Sequence, residues 1–329
     1  MVRSKISMML TTFNEESSII PFLKSVFRQT RKPDEIVIVD AGSVDKTIER
    51  IAQFKKKRPR PPIRLIIDKG ATIAQGRNIA IKNAKYDLIF SADAGTIFEK
   101  RWIETLLKKG FEAEGCDIAV GEYVPARPAN LVEEVISTRM LDFSKVNSGN
   151  VHPSNRQAAY KKAVWKKIGG FPEGLIRADD DVFFKEARSA GFKFYFTRDA
   201  KVSWHTRTSL LFCLRLAFRD SKSDGFSGLI WWRRRRLLYM SQFLVLFLMA
   251  LSIVASFVVH PLIFPAFLLI TTPIFVFEGG WRAYKKTKKA SFLVYGSLLS
   301  FLLFLAHSTG ALLGAIERIF HKKERWRIF

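Results

Sequence analysis

Cysteine is scarce in this sequence, which limits what can hold the fold together. Cys116 and Cys213 are the only two cysteines among 329 residues, and neither has a Cys or His nearby at metal-ligand spacing. A disulfide framework and a cysteine zinc site are therefore excluded. A reducing compartment is the simplest interpretation.

The N-terminus lacks the apolar run of a secretory signal. Only a short apolar stretch precedes Asn14 and Glu15 in MVRSKISMMLTTFNEE, too short for the hydrophobic core of a signal peptide. Without such a signal, we expect the first domain to stay on the cytosolic side of the membrane.

Acidic residues are outnumbered: 54 Lys and Arg oppose 30 Asp and Glu, for a net charge of +24. Such a balance first suggests nucleic acid, but the densest basic clusters flank apolar segments. These clusters, at 233–236, 282–289 and 318–327, instead match the positive-inside rule and attraction to anionic lipid. We therefore expect membrane lipids, and no nucleic acid, as partners, with residues 55–60 in a solvated loop.

Nearly every long apolar run lies in the last third of the chain. The stretches 237–259, 261–280 and 291–315 are each close to the roughly 20 residues that span a bilayer. We predict a transmembrane region over 237–329, preceded by an amphipathic interfacial linker over 206–236. A buried helix hairpin in a soluble protein is the alternative.

The third apolar stretch creates a conflict of topology. Crossing the bilayer a third time would export the basic tail HKKERWRIF. Either the stretch is re-entrant, with a break around residues 307–310, or the rule fails for this tail. Gly310 and Gly314 form a GxxxG pattern, a weak indication of helix packing.

The first part of the chain alternates β-rich and helical patterns. Runs such as EIVIVD and DLIFSAD are apolar on both faces, which indicates parallel strands covered by helices. We therefore predict an α/β domain of the nucleotide-binding type over residues 1–205. The expected strands are 5–13, 35–40, 63–68 and 87–93, and the expected helices are 17–29, 45–54, 72–84, 99–115 and 179–191.

Polar clusters follow three of these strands, in TTFNEE, VDAGS and SADAGT. Ligands of open α/β sheets bind at the carboxyl ends of strands, so these side chains should meet in one crevice. Asp93 is placed to hold a hard cation such as Mg²⁺ or Mn²⁺, which prefers carboxylate oxygen. Asp40 is placed to accept hydrogen bonds from a base or ribose.

The ordered series of motifs is more specific than any one of them. TTFNEE, IVIVDAGSVDKT, GRNIAIKNA, IFSADAG, GGFPE, ADDDVFFKEARSAGF and DAKVSWH follow one another between about residues 4 and 205. This order resembles the family 2 glycosyltransferases, which have the GT-A fold, a mostly parallel mixed sheet. The resemblance implies a nucleotide-sugar donor, a divalent metal, and inversion at the anomeric carbon by direct displacement.

The resemblance also assigns roles to single residues. Thr11 and Phe13 match positions that grip the nucleobase, and Glu15 matches one that reaches the ribose. The remaining matched positions are Asp40, which reads the base, Arg77, which approaches the nucleotide, and Asp93, the last acid of the DxD metal motif.

The sequence departs from the family pattern at two places. Ser91 replaces the first acid of the metal motif, and Ala41 stands where a second Asp is frequent. Metal binding is therefore expected to be weaker or to need another ligand. His205, which closes DAKVSWH, matches a position that assists the metal or the diphosphate; a structural role is the alternative.

An acidic triplet opens the helix expected at 179–191. One Asp in a first turn is explained by the helix dipole, but three are not. The resemblance places Asp180 at the general base, with Asp179 beside it and Asp181 as the rival candidate. Such a carboxylate takes the acceptor proton as the new glycosidic bond forms.

The membrane region points to a lipid-linked acceptor, such as polyprenyl or dolichyl phosphate or a growing lipid-linked glycan. GLIWWRRRR does not supply the QxxRW motif of the family's processive synthases, which favours single additions. A sugar nucleotidyltransferase and a non-catalytic membrane scaffold with a degenerate transferase domain remain as alternatives.

Overall fold

The computed structural model describes residues 4–139, 143–175, 178–204, 209–228, 230 and 233–320. The chain divides into two compact units. The first comprises Met1–Ala126 and Leu141–His205, and the second comprises Arg127–Met140 and Thr206–Phe329. The limits predicted from the sequence at 205 and 236 remain a prediction.

The first unit contains a single sheet of eight described strands. The sheet runs in the order β3-β2-β1-β4-β7-β6-β8-β5. The first four strands pair in parallel, which confirms the arrangement predicted from their two-sided apolar runs. The strands are β1 (Ile6–Thr12), β2 (Glu35–Asp40), β3 (Ile63–Ile67), β4 (Leu88–Asp93), β5 (Thr96–Phe98), β6 (Ile118–Pro125), β7 (Ala158–Lys161) and β8 (Phe194–Trp204).

The other half of the sheet is mixed. Strand β7 is antiparallel to both β4 and β6, whereas β6 and β8 run parallel to each other. Strand β5 pairs antiparallel with the end of β8, so Thr96 lies opposite Trp204. Because of this pairing, the end of β8 lies next to the segment that follows β4.

Helices cover both faces of the sheet. One core cluster includes Phe22 and Trp102, and a second includes Ile81, Val164 and Phe183. The helices are α1 (Ile19–Phe27), α2 (Thr47–Lys57), α3 (Ile73–Asn83), α4 (Trp102–Thr105, continued by a π-helix over Leu106–Ala113), α6 (Lys162–Ile168) and α7 (Asp179–Ser189). All five helices predicted for this region are present.

Helix α3 has a well-defined beginning. The Thr72 hydroxyl accepts a hydrogen bond from the backbone N–H of Gln75, whose side chain accepts one from the Thr72 N–H. This capping box satisfies two N–H groups that have no partner within the helix. Gly76 then allows a close approach to β1, because an added Cβ would lie 2.9 Å from Thr11 Cγ2. The first turn of α3, including Arg77, is thereby held against the sheet.

The second unit is helical. Three of its helical segments are long and apolar enough to cross a membrane: Arg236–Val258, Ile263–Thr287 and Ser291–Phe320. In the most apolar 18-residue stretch of each segment, only 11%, 17% and 33% is buried within the protein. This exposure argues against a buried helix hairpin in a soluble protein. The described helices are α5 (Leu131–Ser137), α8 (Leu210–Ser227), α9 (Arg233–Val258), α10 (Ile263–Phe275, continued by a π-helix over Val276–Trp281), α11 (Arg282–Thr287) and α12 (Ser291–Phe320).

The last apolar segment bears on one of the two alternatives for its topology. Helix α12 runs without interruption through residues 307–310, so the structure has no break there. Ser308, Thr309 and Gly310 all lie within the helix, where the Thr309 hydroxyl finds its acceptor in the Leu305 carbonyl one turn earlier. The basic tail at 321–329 lies outside the described residues.

Glycines join α8 to α12. A Cβ at Gly310 would overlap the backbone of Phe218, and one at Gly314 would overlap the carbonyl of Lys222. Gly225 on α8 approaches the backbone of Ala311 in the same way. The GxxxG pattern is therefore a packing surface, on which small residues allow two helix backbones to approach closely.

We predict that Gly314→Leu lowers the midpoint of thermal unfolding in detergent. Forcing a side chain into a packed contact costs about 1–3 kcal/mol, and more where the obstacle is backbone. Thr309→Leu is the matched control, because Thr309 is exposed on the same helix. Equal midpoints for the two variants would show that the α8–α12 contact contributes little to stability.

Candidate functional site

Parallel pairing aligns the carboxyl ends of three strands. Thr11 on β1 lies opposite Val39 on β2 and opposite Asp93 on β4. The next residue, Thr12, lies opposite Asp40. The three polar clusters identified in the sequence therefore share one edge of the sheet.

Asp40 organises the turn that follows β2. Its Oδ1 accepts hydrogen bonds from the N–H groups of Gly42 at 2.9 Å and Ser43 at 2.7 Å. Its Oδ2 accepts from the hydroxyls of Thr12 at 2.8 Å and Ser43 at 2.7 Å. The side chain is fully buried. A carboxylate has about four acceptor positions, so these contacts occupy Asp40 within the protein itself.

The turn after β1 is tied to the turn after β2. The N–H of Asn14 donates to Ser43 Oγ at 2.9 Å, and Asn14 Oδ1 accepts from the N–H of Val44 at 3.0 Å. The N–H of Glu15 donates to Thr47 Oγ1 at 2.8 Å. Asn14 has a φ of 54°, which amide side chains tolerate better than most. Two loops distant in sequence thus form one rim of the site.

The predicted base-contacting residues differ in exposure. Phe13 is 56% exposed beside this rim, which leaves its ring available for stacking. Thr11 is half-buried, with its methyl group packed against Gly76. The Glu15 carboxylate accepts a hydrogen bond from the Ser18 hydroxyl at the start of α1.

Arg77 is the centre of a buried ion-pair network. Its Nη1 lies 2.5 Å from Asp179 Oδ2, and its Nη2 lies 3.0 Å from Asp93 Oδ1. Burial acts to lower the pKa of the guanidinium, but Asp179, Asp93 and Asp180 outweigh that effect and raise the pKa above its ordinary value. The guanidinium also lies over the ring of Phe171, with Cζ 5.7 Å from its centroid.

A buried amide completes this network. The Asn155 side chain, oriented with its oxygen toward Arg77, accepts from Nε and Nη1 at 3.2 Å each. Its nitrogen then donates to Ser91 Oγ at 3.2 Å. Ser91 in turn donates to the Ala158 carbonyl at 2.8 Å. Ser91, which replaces the first acid of the metal motif, therefore points into buried polar structure.

The acidic triplet separates into one buried and two half-buried carboxylates. Asp179 is 3% exposed; burial raises the pKa of its carboxyl even though Arg77 acts to lower it. Asp180 is half-buried, and its Oδ2 accepts a 3.4 Å hydrogen bond from the backbone N–H of Asn155. Asp181 is also half-buried. Ala178, with a φ of 63°, begins the helix that presents all three.

A divalent cation would find one carboxylate at the end of β4. Among the residues that the structure describes, no group of three His, Cys, Asp or Glu side chains is placed to hold a metal. Asp93 remains 26% exposed at its side chain. Mg²⁺ commonly binds through one or two carboxylates together with substrate phosphates and water. This donor set fits a cation that arrives with a diphosphate; His205 lies outside the described residues.

Sequence reasoning missed two residues of the site. Asn155 contacts Arg77 and Asp180, and Arg156 lies beside Asp93, with Nε 3.7 Å from Oδ2. Their only signal is the polar run SNRQ directly before the strand AAYK. Polar residues at the amino end of an antiparallel strand lie at the same sheet edge as the carboxyl end of its neighbour.

A separate cavity of about 500 Å³ lies between α1 and α2. Its lining includes Lys24, Lys46, Arg50 and Lys57 and none of the predicted site residues. The cavity is therefore not the strand-end site.

Comparison with known proteins identifies the family. Residues 7–197, more than half of the chain, match the family model described as glycosyl transferase family 2. The chain therefore belongs to glycosyltransferase family 2, as its motifs predicted.

Two similar curated proteins are O-antigen chain rhamnosyltransferases. RfbN of Salmonella typhimurium strain LT2 is 27% identical over 210 residues, which cover 60% of this chain and 65% of RfbN. WbaN of Salmonella anatum is 26% identical over 189 residues, which cover 53% of this chain and 58% of WbaN. The chain thus spans less than two thirds of the length of either relative.

A solved structure extends the likeness to the whole chain. The mannosyltransferase PcManGT from Pyrobaculum calidifontis, in complex with GDP-Man and Mn²⁺, matches with a TM-score of 0.58 and 16% identity. The match covers 98% of this chain and 88% of that one. At such low identity the match shows the fold alone, and the predicted GT-A fold is confirmed.

We predict that Arg77→Met is strongly destabilising, because it leaves Asp179 buried without its counter-charge. Breaking one partner of a buried pair costs about 3–5 kcal/mol. Arg50→Met, which breaks the exposed pair with Glu16, is the control and should cost about 1 kcal/mol or less. Thermal unfolding of the purified proteins measures both, and similar midpoints would contradict the importance of the Arg77 network.

Proposed function

We propose that this protein is a membrane-anchored inverting glycosyltransferase that moves a sugar from a UDP- or GDP-sugar to a lipid-linked acceptor. The main support is the gathering of Asp93, Arg77 and Asp180 at the strand ends of a family 2 transferase domain. Asp93 offers a carboxylate for a metal that carries the diphosphate, Arg77 holds Asp93 in place, and Asp180 offers a carboxylate for a proton.

Donor recognition is proposed for the rim formed after β1 and β2. Phe13 is the exposed ring on which a base stacks, with Thr11 and Glu15 beside it. Asp40 acts by holding the turn of residues 41–43 in place, since its oxygens are already hydrogen-bonded. A direct contact between Asp40 and the base would require one of these bonds to be exchanged.

The diphosphate is proposed to lie against Asp93. A divalent cation, Mg²⁺ or Mn²⁺, would be held there by Asp93 and His205, and it would neutralise negative charge on the leaving diphosphate. The binding of Mn²⁺ in the PcManGT structure supports this expectation. Arg77 keeps Asp93 in position while remaining buried itself.

Asp180 is the proposed general base. Asp179 is committed to Arg77, so its carboxylate cannot also approach an acceptor without breaking a buried ion pair. Asp180 is half-buried at the first turn of α7, and its carboxylate accepts hydrogen bonds from the backbone N–H groups of Asn155 at 3.4 Å and Asp181 at 3.1 Å but forms no ion pair with Arg77. It takes the proton of the acceptor hydroxyl or phosphate as the anomeric carbon is attacked from the side opposite the diphosphate. Asp181 remains the rival.

The acceptor is proposed to be delivered by the membrane. Three helices suited to crossing a bilayer belong to the same chain as the transferase domain. A polyprenyl or dolichyl phosphate, or a lipid-linked glycan, would reach the enzyme from the membrane. The O-antigen chain relatives support a cell-envelope glycan as the product.

A donor screen with detergent-purified protein tests the function. UDP- and GDP-sugars are supplied with Mg²⁺ or Mn²⁺, and free nucleoside diphosphate is measured with and without polyprenyl phosphate. We expect metal-dependent release that the lipid stimulates and that a chelator abolishes. No release with any donor would favour the scaffold alternative, with Ser91 as the suspected cause. Release of pyrophosphate in a parallel assay with a nucleoside triphosphate and a sugar 1-phosphate would indicate a nucleotidyltransferase.

We predict that Asp180→Asn abolishes transfer but keeps donor binding. Loss of a positioned general base typically lowers the rate by about 10²–10⁴-fold. Asp181→Asn is the matched variant, one residue away in the same turn, and should retain most activity. Transfer at the normal rate by Asp180→Asn would disprove the assignment of Asp180 as the general base. Loss of transfer only in Asp181→Asn would assign that role to Asp181.

A further inference from the structure

Arg156 supplies a positive charge that the proposed mechanism has not used. Its Nε lies 3.7 Å from Asp93 Oδ2, on the side of the carboxylate not bonded to Arg77. Arg77 has both terminal nitrogens committed to carboxylates and a side chain only 6% exposed. Of these two arginines, Arg156 is therefore the one that can reach a ligand at Asp93.

Two aromatic rings hold the Arg156 guanidinium in place. Its Cζ lies 4.3 Å from the ring centroid of Trp204 and 5.4 Å from that of Tyr123. Contacts of this kind orient the planar guanidinium and keep it charged without occupying its N–H groups. The position is thus fixed by packing between β6 and the end of β8.

The free end of the side chain is available for binding. Nε is buried without a hydrogen bond, while the side chain as a whole is 24% exposed. Among the residues that the structure describes, no group accepts a hydrogen bond from Nη1 or Nη2 of Arg156. A rigid cation with unused parallel N–H groups is suited to bidentate binding of phosphate oxygens.

We propose that Arg156 binds the diphosphate of the nucleotide donor. This inference rests on the proposed function and adds a donor-binding residue to it. The contact with Asp93 favours the donor diphosphate over a phosphate on the acceptor, because Asp93 marks the place proposed for the diphosphate. Arg156 then partly offsets the missing first acid: it neutralises the departing diphosphate where Ser91 provides no metal ligand.

The test compares nucleotide binding by the full-length protein and its Arg156→Gln variant. Calorimetry in detergent gives dissociation constants for UDP, GDP, UMP, GMP and the two nucleosides, with Mg²⁺ and with a chelator. We expect the wild-type protein to prefer one diphosphate over its monophosphate. The variant should bind that diphosphate about tenfold or more weakly, the equivalent of one strong charged hydrogen bond, with nucleoside affinity unchanged.

Arg188→Gln is the matched control. Arg188 also lies over an aromatic ring, with Cζ 4.0 Å from the centroid of Phe194, but it bonds the carbonyls of Gly149 and Val151. Its loss removes the same charge and the same type of ring contact while diphosphate affinity stays normal. If Arg156→Gln does not fold, Arg156→Lys is the second variant, because it keeps the charge but lacks the parallel N–H donors of the guanidinium. It should show a reduced preference for diphosphate.

The alternative outcomes are distinguishable. Wild-type affinity for the diphosphate in Arg156→Gln would overturn the proposal. Normal diphosphate affinity with lost stimulation by polyprenyl phosphate would also overturn it, and would assign Arg156 to the acceptor phosphate. Failure of the wild-type protein to bind any of the nucleotides would instead refute the proposed function, on which this inference rests.

Discussion

The buried guanidinium of Arg77 is the interaction on which the candidate site depends. It joins α3 to β4 through Asp93 and to α7 through Asp179, a residue 102 positions away in sequence. A charge removed from water is tolerated only when paired, so the three elements are held in one arrangement. The pairing also distinguishes the acids of the triplet: Asp179 is buried and bound to Arg77, whereas Asp180 and Asp181 are half-buried.

The charge of the site follows from the absence of one acid. With Ser91 turned into the protein, Asp93 is the carboxylate left at the end of β4, and Arg77 and Arg156 flank it. The charged neighbours of Asp93 are thus arginines, whereas a second acid in the metal motif would have added a metal ligand. Under the proposed function, Arg156 and a metal that arrives with the substrate would together neutralise the diphosphate.

The helical unit is built on a different principle. Helix–helix contact in a membrane has little hydrophobic driving force, so close backbone approach and polar bonds must supply it. Gly310 and Gly314 provide the approach of α8 to α12. Arg139, at the end of the α5 segment, provides polar bonds by donating to Glu278 and to Ser300 Oγ. Residues 127–140, early in the chain, thereby belong to this unit.

The sequence by itself determined the alternating elements, the apolar spans and the polar strand ends, because these follow from local periodicity and turn residues. It also predicted roles for Asp93 and Asp180 through a series of motifs. Only the tertiary structure decided that the Asp40 carboxylate is hydrogen-bonded within the protein, that Asp179 pairs with Arg77, and that Arg156 lies beside Asp93. Side-chain pairing across a sheet edge also depends on strand order, which brings together segments distant in sequence and cannot be read from local periodicity alone.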